Sequence, residues 1–565
     1  MHNRISNISE RNSMLAQIVL ISLFTAVLYI NTLANGFVFD DNYVIFKNQW
    51  ITDFGHLKDI LFSSVWFFAE EHGPSDYYRP TLHLIASVEY RVFGIDPWGW
   101  HLVNIALHTF NALLVFSIAH TFFCGHQDKS PVLALASALI FAAHPVNTEA
   151  VNFISCLPDL LFTFFSLGAI YLHMRRLHIF SALFFFLTLL SKETAVVVPL
   201  VLFVYDKFKK GGGARFKAYT SYIVAFGLYM ALRTYALAGV TARETVSQNL
   251  FSILLDIFPL FFESLKLLLM PINLSVFHVH EPATGLKIVI SALFTGIVVW
   301  TALGLKRVKP ETLFPASLVI LPILPTFYLL FSGNMGLPAE RYLYLPSAGL
   351  GMLAAQGIGS ALLRFKGIRY ARAIIFAGLF ALLTLYSFKT ITRNTVWKDD
   401  LTLWGATIRD FPDNYFAHYL LADVYKREGF LDKAMPHMQE AVRLGASDIN
   451  MRHKLGLLYY EAGRNEDALA EFKEVLEKQP ANSDVFYNIA LIHMDNARWQ
   501  DAEKALKKAL LYAKKESRRL RIKNALAVVY ARTDRIEAAK RELVEALRID
   551  PADKETLGNL SGLSP

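Results

Sequence analysis

Two adjacent carboxylates, Asp40 and Asp41, follow the first long apolar stretch of the chain. A carboxylate beside a membrane surface is costly unless it is solvated or used. In an extended segment neighbouring side chains point in opposite directions, so one acid could accept a proton while the other holds backbone or binds a divalent cation. The alternative is a structural role, because Asp is a favoured cap of a following helix. The pair by itself leaves both roles open.

Other charged and histidine side chains occur in short motifs between apolar stretches. Arginine and lysine stabilise the charge that develops on a departing phosphate, and a carboxylate can accept the proton of an attacking hydroxyl. On one face of a helix bundle, such a set would suit group transfer from a lipid-linked phosphate. The candidates are Arg79, His101, His144, Glu149, Lys192, Glu193, Glu340, Arg341 and Tyr342.

Each of these motifs also has a structural interpretation. Arg79 and Arg341 could anchor helices at the membrane interface. Lys192 and Glu193 could form a local ion pair, and His144 could simply end a helix before a proline. Only the combination of motifs favours chemistry.

The composition indicates a membrane protein with a polar C-terminal part. Hydrophobic residues make up 54% of the 565 positions, and mean hydropathy is +0.34. The net charge of +8 does not indicate nucleic-acid binding, because the basic residues of the apolar part lie in short clusters between apolar runs. Two cysteines, Cys124 and Cys156, allow neither a disulfide framework nor a thiolate metal site, and buried thiols are expected.

Apolar stretches of spanning length recur throughout the first 390 residues. A bilayer core of about 30 Å requires about 20 apolar residues in a helix. The predicted spans are 15–33, 101–123, 131–147, 153–173, 178–190, 194–206, 218–238, 288–305, 313–331, 343–362 and 371–390. The total of about eleven requires that the apolar stretch 250–270 be interfacial or re-entrant.

Clusters of lysine and arginine orient these spans. The positive-inside rule assigns such clusters to cytoplasmic loops. They are Arg175 and Arg176, the lysines and arginine of 207–217, Lys306, Arg307 and Lys309, and the bases of 364–372. With a cytoplasmic N terminus, the loop 34–100 and the candidate residues lie on the outer face. An odd number of spans then places the C terminus outside as well.

After residue 412 the sequence repeats with a period near 34, which is typical of tetratricopeptide (TPR) units. Small and large residues recur at fixed offsets through about four units, with a three-residue insertion before the fourth. The recurring residues are Leu421, Ala422, Tyr425, Gly429, Ala434 and Ala441, then Leu455, Gly456, Tyr459, Gly463, Ala468, Phe472 and Pro480, then Ile489, Ala490, Ala502 and Ala509, then Leu526, Ala527, Tyr530, Ala539, Ala546 and Pro551. A stack of such units offers a concave groove to a protein or peptide.

The order of the motifs resembles the transmembrane and TPR-containing protein O-mannosyltransferases, whose membrane part is of the GT-C glycosyltransferase class. The resemblance covers nearly the whole chain. It is carried by Phe-Val-Phe-Asp-Asp at 37–41, Tyr-Arg-Pro at 78–80, His-Leu-Val-Asn at 101–104 with His108, the His-Pro-Val motif at 144–151, Ser-Lys-Glu at 191–193, Pro-Ile-Asn-Leu-Ser at 271–275 and Glu-Arg-Tyr-Leu-Tyr-Leu-Pro-Ser at 340–347.

The resemblance implies an all-α protein, with a GT-C-like transmembrane helix bundle as the catalytic domain over 1–395 and a TPR α-solenoid over 396–565. It also implies an inverting transfer of a sugar, mannose in the best-known members, from a polyprenyl phosphate carrier to a hydroxyl of an acceptor, expected to be Ser or Thr of a protein. The bilayer holds the enzyme and the TPR groove presents the acceptor.

Particular residues receive roles through the same resemblance. Asp40 is the expected general base, and Asp41 is its polar partner. A divalent cation, if one binds, would lie at Asp40 or Asp41. The expected carrier-phosphate site contains Arg341, Lys192 and Arg79, together with Glu193 and Tyr342. Further outer-face candidates are His101, His144, Glu149 and Glu340.

The chain departs from the family pattern at two places. Asn147 stands where many members have a second histidine, and Cys156-Leu157-Pro158-Asp159 replaces a stretch that often carries a basic residue before the acid. The short repeat array favours a bacterial relative in the inner membrane with a periplasmic TPR domain; in a eukaryote the corresponding place is the ER membrane, with the TPR domain in the lumen. The alternatives are a non-catalytic membrane-anchored TPR scaffold and an enzyme that glycosylates a lipid or polysaccharide.

Overall fold

The computed structural model of the chain describes residues 2–68, 75–123, 130–208, 216–238, 250–278, 285–303, 310–327, 339–445 and 448–563. Within these ranges every regular element is a helix, as predicted. The chain forms two compact units, Met1–Asp410 and Phe411–Pro565. The domain boundary predicted after residue 395 is left as a prediction.

The first unit is a bundle of long and short helices. Its helices are α1 (His2–Tyr29), α2 (Leu57–Phe62), α3 (Pro80–Phe93), α4 (Pro97–Phe123), α5 (Ser130–Ala143), α6 (Thr148–Asn152), α7 (Leu157–Met174), α8 (His178–Ser191), α9 (Val198–Phe208), α10 (Phe216–Ala236), α11 (Leu250–Leu269), α12 (Gly285–Leu303), α13 (Pro310–Ile320), α14 (Tyr344–Arg364), α15 (Ala371–Asn394) and α16 (Asp400–Asp410).

A helix overlaps each of the eleven predicted spans, but the number of spans is not confirmed. Four helical segments in the described ranges are long and apolar enough to cross a membrane: Asn12–Ala34, Pro97–Phe123, Ile154–Met174 and Ala371–Trp397. A fifth would consist of α5 and the segment after it, which are bent by 51° relative to each other. Helices such as α9, with 11 residues, are shorter than a bilayer core requires. The ambiguous stretch 250–270 is one helix, α11, which contains Pro259.

Some sequence predictions concern residues outside the described ranges. These are Cys124, the basic residues Lys209, Lys210, Arg215, Lys306, Arg307 and Lys309, and the ends of two predicted spans, 304–305 and 328–331. Cys156 is described and is a buried free thiol, as expected.

The bend after α5 occurs at His144-Pro145. Proline has no backbone N–H and does not tolerate a preceding helical residue, so α5 ends before this pair. The His144 ring caps the next turn, because its Nδ1 accepts from the Val146 amide at 3.3 Å. Its Nε2 is 2.9 Å from the carbonyl oxygen of Leu268 in α11. His144 therefore lies at a helix end before a proline, as its structural interpretation predicted.

The segment that follows, residues 144–159, is the polar centre of the first unit. Its polar side chains are almost completely buried, so each requires partners. Asn152 receives a hydrogen bond from Asn35 at 3.2 Å and donates to Asn394 at 2.8 Å. Arg393 Nε donates to Thr148 at 3.0 Å. These bonds attach the loop after α1 and the end of α15 to the central segment.

The second unit is a stack of four helix pairs and a final short helix, and it confirms the predicted repeats. Its helices are α17 (Tyr415–Arg427), α18 (Leu431–Leu444), α19 (Ile449–Glu461), α20 (Asn465–Lys478), α21 (Ser483–Asp495), α22 (Trp499–Tyr512), α23 (Glu516–Arg532), α24 (Ile536–Ile549) and α25 (Lys554–Ser561). Small residues allow the helices of a pair to approach closely: a Cβ on Gly456 would lie 2.5 Å from the Phe472 ring.

Every repeat turns between its two helices through a residue with positive φ. The four residues are Gly429 at 83°, Gly463 at 73°, Ala497 at 55° and Asp534 at 56°. They are 34, 34 and 37 residues apart, so the turn is the same in each repeat. Glycine adopts this conformation without the Cβ clash that costs an L-residue about 1–2 kcal/mol, so the last two repeats carry strain that the first two avoid.

Candidate functional site

The acidic pair lies in a tight turn, and the expected extended conformation is wrong. Phe39 has φ of 49°, and the Asp41 amide donates to the Val38 carbonyl oxygen at 3.0 Å. A bulky residue in the left-handed region is strained and persists only where the surroundings hold it. Here the Phe39 amide donates to Asp400 Oδ1 at 2.8 Å, and its ring packs edge-on against Trp404.

Asp41 is completely buried, and its carboxylate is fully engaged. Oδ1 accepts from the Ser155 amide at 2.7 Å and from the Ser155 hydroxyl at 2.6 Å, while Oδ2 accepts from the Val38 amide at 3.2 Å. Burial raises the Asp41 pKa to about 7, although the bonds from Ser155 oppose that rise. The side chain makes no cap bond to the helical turn that follows. Its contacts hold the first loop against the central segment.

Asp40 differs from its neighbour because its carboxylate is half-buried and accepts no hydrogen bond within the described residues. Burial raises its pKa to about 6, and the positive charge of Arg341 opposes that rise. At neutral pH about nine-tenths of such a group is ionised. Asp40 is therefore a carboxylate that is charged, accessible and close to a guanidinium group.

Arg341 is held in place by Glu149. Its guanidinium group forms an ion pair with the Glu149 carboxylate, and its amide donates to Glu149 Oε2 at 2.8 Å. Glu149 is completely buried, whereas the Arg341 side chain is 25% exposed. The buried acid thus orients Arg341 while part of the Arg341 side chain stays accessible.

Lys192 reaches the same place from the end of α8. Its ammonium group forms a buried ion pair with Asp159 and lies 4.4 Å from the centre of the Tyr342 ring. The Arg341 guanidinium carbon is 5.3 Å from the centre of that ring. One aromatic ring therefore brings two cations together, as cation–π attraction allows.

The predicted local pair of Lys192 with Glu193 is wrong. Lys192 has an extended backbone, with φ of −158° and ψ of 135°, so the two neighbouring side chains diverge. Glu193 instead accepts from Arg79, at 3.0 Å from Nε and 2.8 Å from Nη2, and from the Tyr78 amide at 3.1 Å. Arg79 thus lies beside Glu193.

Glu340 and His101 are both buried and contact other parts of the first unit. Glu340 is completely buried and accepts from Arg393 Nη2 at 2.9 and 3.1 Å, so it ties α15 to the segment that carries Arg341. The His101 ring faces the backbone of Asn35 and Gly36 and makes no well-formed hydrogen bond in the described part of the chain. Glu340 therefore supports the Arg341 segment, and His101 lies against the first loop.

The described residues contain no group of three or more His, Cys, Asp or Glu side chains arranged to hold a metal ion. Asp41, one of the two expected ligands, already accepts three hydrogen bonds. A divalent cation therefore stays a prediction for this chain.

Comparisons with known proteins agree with the two-unit organisation. Two tetratricopeptide-repeat family profiles match residues 459–526 and 520–553. A protein O-mannosyl-transferase of Caenorhabditis elegans is 27% identical over 76% of this chain and 63% of its own length. Protein O-mannosyl-transferase TMTC3 of Mus musculus is 22% identical over 87% of this chain and 60% of its own length.

These curated relatives are protein O-mannosyltransferases. The resemblance seen in the sequence is thereby confirmed, and it covers the membrane unit as well as the repeats. The chain spans about 60% of the length of the O-mannosyltransferases that it matches. Among solved structures, MamA is 15% identical over 27% of this chain and 86% of its own, with a TM-score of 0.25.

Four residues that the structure places around the candidate site were not among the sequence candidates. Ser155 and Asp159 bind Asp41 and Lys192, and Asp400 and Arg393 bind Phe39 and Glu340. Asp159 and Arg393 carry charge at the ends of apolar helices, and this is a signal that sequence inspection could have used. Ser155 and Asp400 carry no comparable signal.

Proposed function

We propose that this chain is a membrane glycosyltransferase that moves a sugar, expected to be mannose, from a polyprenyl phosphate carrier to a Ser or Thr hydroxyl of a protein. One observation carries the proposal. Asp40 is a half-buried carboxylate without a hydrogen-bond partner in the described chain, within the electrostatic reach of Arg341, which shares the Tyr342 ring with Lys192. The naming of the relatives as O-mannosyltransferases supports the reaction class.

The proposed reaction is a single displacement at the anomeric carbon. The acceptor oxygen forms a bond to that carbon as the bond to the carrier phosphate breaks, which inverts the configuration. Asp40 takes the proton of the attacking hydroxyl, and the carrier phosphate leaves with the electron pair of the broken bond. General-base assistance of this kind contributes about 10²- to 10⁴-fold.

Arg341 and Lys192 stabilise the departing phosphate in this proposal. Arg341 is the stronger direct ligand because its side chain is 25% exposed, whereas that of Lys192 is 5% exposed and is paired with Asp159. Lys192 then contributes charge at close range, and Tyr342 fixes the distance between the two bases. Arg79, paired with Glu193, is assigned a supporting place beside this site.

We place the reaction on the extracytoplasmic face, with the repeats on the same side, where their groove presents the acceptor protein. The setting that we propose is a bacterial inner membrane with a periplasmic TPR unit, and in a eukaryote the ER membrane with a luminal one. Reporter fusions after residue 395 test this topology. A reporter that is active only in the cytoplasm would contradict it.

The decisive experiment compares Asp40→Asn and Asp41→Asn with Asp59→Asn, a matched control at a more exposed carboxylate of the same loop. Membranes that contain each variant are supplied with a radiolabelled polyprenyl-phosphate sugar, and transfer to protein is measured. Asp40→Asn should lose at least about 100-fold in rate, while Asp59→Asn should keep the wild-type rate. Full activity of both pair variants would contradict the acidic pair as the catalytic centre. Wild-type transfer no greater than in membranes without the chain would favour the scaffold, and label found only in lipid or polysaccharide would favour the other glycosyltransferase class.

A further inference from the structure

The fourth repeat differs from the other three in the length of its first helix. The helices α17, α19 and α21 each have 13 residues, whereas α23 has 17. The three-residue insertion found in the sequence therefore adds about one turn at the start of α23. The repeat architecture does not require this turn, because three repeats stack without it.

The region around the added turn is strongly basic. Residues 504–523 contain nine Lys and Arg and one acid, Glu516, which is a net charge of +8. Some of these cations are neutralised by acids, for example Lys507 by Glu503 at 2.7 Å. Four exposed cations form no salt bridge within the described residues: Lys514, Lys515, Arg519 and Arg521. Four unpaired charges within eight positions repel one another, so an anionic partner would be attracted to them.

A concave pocket lies at the same place. It has a volume of about 610 Å³, and its polar lining includes Asn482, Asp484, Lys514, Lys515 and Arg518. Arg518 is held by Asp484 at 2.7 Å and lies over the Tyr487 ring. One arginine of the pocket is therefore fixed, while the two neighbouring lysines remain available.

One wall of the pocket is aromatic. Tyr512 stacks on Phe486, with ring centres 5.9 Å apart and an interplanar angle of 20°. Tyr512 is 36% exposed and lines the pocket, and Leu511, which precedes it outside the lining, is 74% exposed. An apolar surface beside unpaired cations suits a ligand that carries both carboxylates and an apolar side chain.

We propose that this basic pocket, formed by the loop between α22 and α23, the first turn of α23 and the start of α21, binds an acidic segment of a protein partner that also carries an aromatic or apolar side chain. Its concave shape favours a peptide over a membrane surface, which is flat on this scale. The Asp484 carboxylate in the lining also disfavours dense phosphate, as on a nucleic acid or an anionic bilayer. The proposal stands whether or not the chain transfers sugar.

The test uses the full chain in detergent and a fluorescein-labelled peptide that alternates Glu and Asp around one Phe, with binding followed by fluorescence anisotropy. Lys514→Glu with Lys515→Glu should weaken binding about tenfold or more, because two attractive charges become repulsive. The matched control is Lys473→Glu with Lys554→Glu, which reverses two exposed charges that do not line the pocket and should leave the affinity within about twofold. Asp40→Asn should bind like the wild type, which separates this proposal from the catalytic one.

Several outcomes would overturn the proposal. The first is that the wild-type chain binds the acidic peptide no better than the same peptide with Gln and Asn in place of the acids. Alternatively, the control pair weakens binding as much as the pocket pair, which would indicate general charge attraction. A third outcome is that vesicles with about 30% phosphatidylserine bind the wild-type chain more strongly than the pocket variant, whereas the peptide binds both chains equally. That result would indicate a membrane surface as the ligand.

Discussion

The pH dependence of sugar transfer should report the ionisation of Asp40. Its pKa is about 6, so about nine-tenths of the carboxylate is ionised at pH 7 and about one-tenth at pH 5. The base acts only when ionised. The rate at subsaturating acceptor should therefore fall about tenfold from pH 7 to pH 5, with its acidic limb centred near pH 6.

Substitution of Arg341 tests the physical cause of that pKa. The guanidinium charge lowers the pKa of Asp40 against the effect of burial. Arg341→Gln removes the charge and should raise the pKa by about one unit, which corresponds to about 1.4 kcal/mol. The ionised fraction at pH 7 then drops from about nine-tenths to about one half. Arg341→Lys retains a positive charge and should leave the limb near its original position.

The assay is transfer of radiolabel from a polyprenyl-phosphate sugar to an acceptor peptide at a series of pH values. Each variant is normalised to its own maximal rate, so that weaker carrier binding does not affect the comparison. A wild-type rate that is constant between about pH 5 and pH 8 would refute Asp40 as the base. An acidic limb that is identical in Arg341→Gln and the wild type would refute the electrostatic link.

Three further predictions concern stability. Lys192→Met should destabilise the membrane unit by roughly 3–5 kcal/mol, because it leaves Asp159 buried without its partner. Thermal unfolding measures the loss, and adding Asp159→Leu should recover most of it. If the double variant shows no recovery, the stability does not depend on the paired charges. Ala497→Gly should stabilise the third repeat by about 0.5–1 kcal/mol, seen as slower hydrogen exchange there, because it relieves a left-handed alanine; faster exchange would count against strain. Gly456→Ala should destabilise the second repeat by about 1–3 kcal/mol, because the added methyl group clashes with the Phe472 ring. A smaller residue at position 472 should restore part of the lost stability. An unchanged melting temperature for Gly456→Ala would contradict the close approach of the two helices.

The repeats could be predicted from the sequence because their signal is local and recurs. A period of 34 residues fixes which small residues meet which large ones, as at Gly456 and Phe472. The left-handed turn could be predicted at Gly429 and Gly463 but not at Ala497 and Asp534, where the residue type does not indicate it. Residue type therefore indicates the left-handed turn only in the first two repeats.

The membrane unit was harder to predict because its decisive contacts are distant in sequence. The acidic pair was found from its residue types, but the different environments of Asp40 and Asp41 depend on Ser155, more than a hundred residues later. The predicted ion pair between Lys192 and Glu193 was also wrong, because the backbone is extended at Lys192 and the two neighbouring side chains point in different directions. The span count remained open because helices such as α9 are too short to identify by length alone.

The bond between Phe39 and Asp400 has a consequence for biosynthesis. Its two residues are 361 positions apart, and Gly36 is held similarly by the Lys398 carbonyl oxygen at 2.8 Å. At about 5–20 residues per second a ribosome needs roughly 20–70 s to travel that distance. During that interval the turn that carries Asp40 lacks the acid that holds it in its left-handed conformation. The turn thus acquires the geometry proposed for catalysis only when the last membrane helix and α16 have been made, and a chain interrupted before α16 lacks the contact that holds it.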